Sequence, residues 1–186
     1  MSMASINKYD FLSDYTNNLK KLLDSKSNDL EFLCKSIKAI PKRNKIIICG
    51  NGGSSSIASH VATDITKSLS IPALTFSDHN LITCYANDYG FENWIVKSLK
   101  NFVNVGDLVL LISSSGKSMN MIKAAKYLKR ENIRFITLSG FKKGNQLSKL
   151  GDYNIWINSN NYNFVEMSHH ILLVAAIDKI SKINIK

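Results

Sequence analysis

Apolar residues along this chain change their spacing twice, and the changes divide it into three stretches. From about residue 6 to 40 they recur at helical intervals: Leu12, Tyr15, Leu19 and Leu22, then Leu30, Leu33 and Ile37. A Ser-Lys-Ser-Asn break at 25–28 separates two helices, with Ser27 or Asn28 as the cap of the second, and Pro41 closes the pair. From Lys45 short apolar runs take over: Lys45–Cys49, Ala73–Phe76, Leu108–Ile112, Arg134–Leu138 and Tyr153–Ile157. Strands that alternate with helices predict βαβ units and a doubly wound parallel α/β sheet. The third stretch, from about Asn163 to Ile183, predicts one long helix, apolar over most of its surface. No internal repeat, linker or low-complexity tract interrupts this order. One domain over 1–186 follows, with the first helical pair as a packing or oligomer-contact appendage.

Two junctions stand out. The first apolar run leads through Gly50-Asn51-Gly52-Gly53-Ser54-Ser55 into a helical segment, and the third through Ser113-Ser114-Ser115-Gly116-Lys117-Ser118 into another. A strand that ends in small residues and turns at once into a helix aims backbone N–H groups at whatever lies beyond the strand ends. The positive end of the helix dipole points the same way. In an open α/β sheet that is where ligands bind. With Ser54, Ser55, Ser113, Ser114, Ser115 and Ser118 as hydroxyl donors and acceptors, an anionic, polyhydroxylated ligand such as a sugar phosphate fits better than a dinucleotide.

Composition narrows the class. At 186 residues, 45% hydrophobic and 20% charged, the chain can bury a core. Its start lacks the apolar centre of a signal peptide, and its longest apolar run, Ile171–Ile177, is far short of a membrane span. A cytoplasmic protein is expected. Cys34, Cys49 and Cys84 show no metal-type spacing, and Cys49 reads as a small buried hydrophobe. The formal charge is +10, yet of 24 basic residues only Arg43, Arg130 and Arg134 are arginines, which argues against sequence-specific nucleic-acid recognition.

Three segments together, GNGGSSSIASH at 50–60, ANDYGF at 86–91 and ISSSGKS at 112–118, resemble the sugar isomerase (SIS) family, and within it the phosphoheptose isomerase branch. The resemblance covers nearly the whole chain. It implies a flavodoxin-like, five-stranded doubly wound parallel sheet with an N-terminal helical hairpin, assembled as a homotetramer. It implies an aldose–ketose isomerase that interconverts sedoheptulose 7-phosphate and a heptose 7-phosphate for surface-polysaccharide synthesis, such as that of lipopolysaccharide. Carried over by position, Asn51, Gly52, Gly53 and Ser54 line the sugar with Asn87 and Asp88 beside it, while Ser113, Ser114, Ser115 and Ser118 hold the phosphate.

The branch also implies zinc bound by His, Glu, Gln and His, and here this chain departs from the pattern. His60 matches the first histidine. Asp64 stands where the family has glutamate, Glu166 where it has glutamine, and Val174 where it has the second histidine. At about 100° per residue, His170 lies about 40° from both Glu166 and Val174 around a helix, so it shares their face. His60 and Asp64 form one i,i+4 pair and Glu166 and His170 another. The expected metal ligands are therefore His60, Asp64, Glu166 and His170, and the expected acid–base groups Asp64, Glu166 and His170, with Glu166 also touching substrate. Some SIS proteins similar to this branch are non-catalytic tetramers, one of which binds a replication initiator. A scaffold of that kind is the alternative reading.

Overall fold

The five apolar runs are strands: β1 (Ile46–Cys49), β2 (Ala73–Thr75), β3 (Leu108–Ser113), β4 (Arg134–Ser139) and β5 (Tyr153–Trp156). They pair in parallel in the order β2-β1-β3-β4-β5. The structure is a computed structural model and describes residues 10–182. The first residues of the expected N-terminal helix, 6–9, and the expected end of the last helix at Ile183 lie outside them. The helices are α1 (Phe11–Leu23), α2 (Ser27–Lys38), α3 (Gly53–Leu69), α4 (His79–Tyr89), α5 (Trp94–Phe102), α6 (Met119–Arg130) and α7 (Tyr162–Ser181).

Strands covered on both faces read as unbroken apolar runs. β1 and β3 are buried at every position. Alternate side chains feed two cores. Ile46, Ile48, Leu108, Leu110, Ile112, Ile136 and Leu138 meet α2, α3 and α7 on one face. Ile47, Cys49, Val109, Leu111 and Phe135 meet α5 and α6 on the other. Cys49 is buried among them, and burial pushes its thiol up to about 12. The N-terminal pair divides its work: α2 buries Leu33, Cys34 and Ile37 in the first core, whereas α1 buries nothing among its own residues. The cap of α2 is Lys26, not Ser27 or Asn28, and it makes no side-chain cap bond. Its ammonium instead bonds the Trp156 carbonyl and pairs with Asp29, which ties the hairpin to the edge strand β5.

Strand order reverses at β1. The chain leaves β1 for β2 on one side and returns to β3 on the other. Such a switch point opens a crevice at the carboxyl ends of the two central strands. β3 and β4 each run one residue beyond the apolar pattern, to the paired Ser113 and Ser139. The serine loop therefore starts inside the sheet.

Candidate active site

β1 delivers Gly50-Asn51-Gly52 to the crevice. Gly52 caps α3 with φ 53° and ψ −125°, a conformation closed to residues with a side chain. A Cβ on Gly50 would lie 2.4 Å from the carbonyl carbon of Ser54, so the turn can fold back on its own helix only with glycine there. A Cβ on Gly53 would lie 2.3 Å from a carboxylate oxygen of Glu166 on α7. Glycine at 53 thus admits the one carboxylate that lines the cavity.

β3 delivers the serine loop. Gly116 turns it in the left-handed region, φ 64°, above Asn145, whose amide bonds Ser139 and the Gly140 carbonyl. Ser118 occupies the cap of α6, but its hydroxyl faces Ser113 Oγ at 3.2 Å and makes no cap bond. The N-termini of α3 and α6 converge on the same space. A cavity of about 130 Å³ is lined by Asn51, Ser54, Ile112, Ser113, Ser114, Ser115, Ser118, Tyr162 and Glu166. The Ser114 hydroxyl approaches Glu166 Oε1 at 3.5 Å, the outer limit of a hydrogen bond. One carboxylate thus sits among hydroxyls and helix N-termini, an arrangement suited to an anion with a proton acceptor beside it.

Asn51 is more than a turn residue. Its amide and that of Asn120 on α6 bond reciprocally, at 3.0 and 2.9 Å, and Asn120 is buried. The pair joins the two loops across the switch point. Asn120 and Tyr162 escaped the sequence reading. A polar residue on the inward face of α6 was the available signal for Asn120, and none marked Tyr162.

The expected sugar neighbours Asn87 and Asp88 are not in the cavity wall. They form the last turns of α4, exposed, with the Asn87 amide donating to Asp88 at 3.0 Å. ANDYGF is a helix end, and Gly90 caps it at φ 82°.

His60, Asp64 and His170 meet along the seam between α3 and α7, one helical turn or more beyond Gly53 and Glu166. His60 Nε2 lies 3.1 Å from Asp64 Oδ2, and His60 Nδ1 lies 2.7 Å from His170 Nε2. These donors do not fit a four-coordinate zinc. Asp64 and His170 engage opposite edges of one imidazole, so a single ion cannot reach both with His60 between them. Two imidazole nitrogens on one tetrahedral zinc at 2.0–2.1 Å stand about 3.3 Å apart, not in hydrogen-bond contact. Among the described residues no group of three or more His, Cys, Asp or Glu is placed to hold a metal. Val174, the position of the family's second histidine, packs on the first core. His169, next to His170, points elsewhere: it is fully buried, Nε2–H donates to the Ser139 carbonyl at 3.2 Å, and burial lowers its pKa to about 4.

Residues 10–140 match the family model for the SIS domain. The chain belongs to the SIS domain family. Within it, the chain is a phosphosugar isomerase, an enzyme of the aldose–ketose type. It is 35% identical over 147 residues to the phosphoheptose isomerase of Fusobacterium nucleatum, covering 76% of this chain and 75% of that protein. It is 36% identical over 150 residues to the phosphoheptose isomerase of Campylobacter jejuni, covering 77% of this chain and 78% of that protein. The solved phosphoheptose isomerase of Neisseria gonorrhoeae superposes with a TM-score of 0.84 at 24% identity, over 92% of this chain and 95% of that one, which establishes the shared fold.

Proposed function

We propose that this chain interconverts sedoheptulose 7-phosphate and a heptose 7-phosphate, with the phosphate in the serine loop and Glu166 as the base that moves the carbon-bound proton. The observation that carries this reading is the meeting of two helix N-termini, the serine hydroxyls and one carboxylate in a single cavity. An aldose–ketose shift through an enediol needs a proton carrier beside adjacent carbons and donors that stabilise developing charge on oxygen. About 130 Å³ is the volume of roughly four waters, enough for the phosphoryl end, so the sugar chain extends past Glu166 towards the α3–α7 seam. Asp64 and His170 serve the same proton transfers from that seam. Zinc, implied by the branch, enters no step here because the donors present do not fit it.

A binding scaffold has no use for a carboxylate seated over a glycine in an anion cavity, and this favours the enzyme over a non-catalytic tetramer. Leu12 on α1 and Met167 and Ile171 on α7 are exposed apolar residues, which supports burial of this face in a homotetramer. Among the described residues no helix is long and apolar enough to cross a membrane, consistent with work in the cytoplasm on surface-polysaccharide heptose. The test is a coupled assay of purified protein with sedoheptulose 7-phosphate, run in parallel with light-scattering mass determination. Heptose phosphate formation supports the reading. Binding of the sugar phosphate without product moves the protein to the scaffold class.

A further inference from the structure

The seam between α3 and α7 carries a chain of three side chains whose bonding order dictates where the protons sit. Asp64 Oδ2 is 3.1 Å from Nε2 of His60, and Nδ1 of His60 is 2.7 Å from Nε2 of His170. The rings meet edge to face, with centroids 4.9 Å apart and planes at 84°. An ionised carboxylate can only accept, so His60 carries its hydrogen on Nε2 and presents a lone pair at Nδ1. That lone pair must receive a donor, so His170 carries its hydrogen on Nε2. A neutral imidazole with Nε2–H has its lone pair on Nδ1. No hydrogen-bond partner for His170 Nδ1 exists among the described residues, and that atom is not sealed in the core. Glu166, whose carboxylate lines the cavity, precedes His170 by one turn of α7.

We propose that Asp64, His60 and His170 form an imidazole relay that holds His170 as the Nε2–H tautomer with a bare Nδ1, taking the place that a metal centre holds in the related branch. The proposal rests on the isomerase reading, since it names what receives the second proton of that reaction. Besides the carbon-bound proton, an aldose–ketose shift must move a hydroxyl proton between adjacent oxygens. When Nδ1 of His170 takes that proton, directly or through one water, an N–H bond forms there. The Nε2–H bond of His170 breaks as an N–H bond forms on Nδ1 of His60. The positive charge ends on His60, which then faces the Asp64 carboxylate. Reversal returns the proton, and no electron is gained or lost. His60 and Asp64 are positioning residues in this scheme. Burial, and then the neighbouring His60, lower the pKa of His170 against an opposing pull from Asp64, which favours the neutral ring that the relay requires at rest.

The test reads tautomers and needs no substrate. Protein labelled with nitrogen-15 in histidine is examined by long-range proton–nitrogen correlation, with His60, His79, His169 and His170 assigned by single substitution. The relay requires the Nε2–H form at both His60 and His170, and loss of that single form at both in Asp64→Ala with the fold retained. An Nδ1–H form at His170, or spectra unchanged by Asp64→Ala, overturns it. Metal-type nitrogen shifts at His60 and His170 in protein as isolated, abolished by chelator, also overturn it. His60→Ala should then lower kcat about tenfold to a hundredfold, with KM within about twofold. A protein with the required tautomers but no turnover keeps the relay and overturns the isomerase reading.

Discussion

The cavity at the switch point and the seam beside it are built on different terms. The cavity is made of strand ends, glycines and helix N-termini. Its backbone geometry is locked by Gly50, Gly52 and Gly116 and by the Asn51–Asn120 pair. The seam is made of side chains projecting from two helix faces, His60 and Asp64 from α3 and His170 from α7. A backbone cradle tolerates few replacements, because a change of residue moves the chain itself. A helix face offers an alternative position one turn away, since residues four apart share it. The family motifs survive intact in the cavity and are altered in the seam, at Asp64 and Val174, as that difference in construction predicts.

The sharpest test falls where the two regions join. Glu166→Gln keeps the shape of the cavity wall and removes its carboxylate, so kcat should fall about 10²–10⁴-fold with sugar-phosphate binding retained. Isothermal titration and steady-state kinetics on the same protein separate the two effects, and full turnover in the variant would remove Glu166 from the chemistry.

His169 and His170 are neighbours on α7 with opposite allegiances, and acid should separate them. His169 is buried and neutral with a pKa near 4, below the unfolded value of 6.5. Its contribution to stability is therefore present above pH 6.5 and declines as pH falls towards 4, where the unfolded chain takes up a proton that the folded chain refuses. The loss is about 3 kcal/mol at most. Urea denaturation at pH 7, 5.5 and 4.5 should show a steeper decline in the parent than in His169→Gln, and equal slopes would contradict this placement.

Gly53→Ala and Gly50→Ala break the cradle differently. At 53 the new methyl meets the flexible end of Glu166, so the fold should persist while the displaced carboxylate costs roughly 10²-fold in kcat. At 50 it meets backbone, and thermal unfolding should show destabilisation of about 1–3 kcal/mol or more. Equal stability losses in both would mean that Glu166 is as rigidly held as the backbone.

The smallest effect is expected from Ser115→Ala combined with Ser118→Ala. The helix N-termini remain, so affinity for the sugar phosphate should weaken only about tenfold, read in KM with little change in kcat. An unaltered KM would place the phosphate elsewhere.

How much of this was legible beforehand follows the same division. The strands were readable because a parallel strand buried on both faces is an uninterrupted apolar word, and β1 and β3 are that word. The serine loops were readable because a strand that turns at once into a helix needs small residues. That His60 shares a face with Asp64, and Glu166 with His170, followed from helical period alone. The contact between His60 and His170 did not, because it depends on how α3 crosses α7. Asn120 was missed for a similar reason: its partner Asn51 is far away in sequence, and only the closing of the sheet brings them together. ANDYGF carried a family resemblance that its place at the exposed end of α4 does not translate into a cavity contact. Lys26 was overlooked as the cap of α2 because a lysine there answers to the edge of β5 rather than to the helix it begins.

The amide bridge between the loops also sets a limit on how this protein ages. Asn51 precedes Gly52, and an asparagine followed by glycine readily loses its side-chain nitrogen as ammonia when the next backbone nitrogen attacks it. While Asn120 grips that amide from both sides, the attack requires the grip to open. Once it opens, the residue left behind is an acid. It cannot donate to Asn120, and it sets a negative charge at the mouth of a pocket made for anions. Slow chemical wear would therefore silence this protein without unfolding it, and mass spectrometry of stored samples would show the damage at one dipeptide before activity had fully gone.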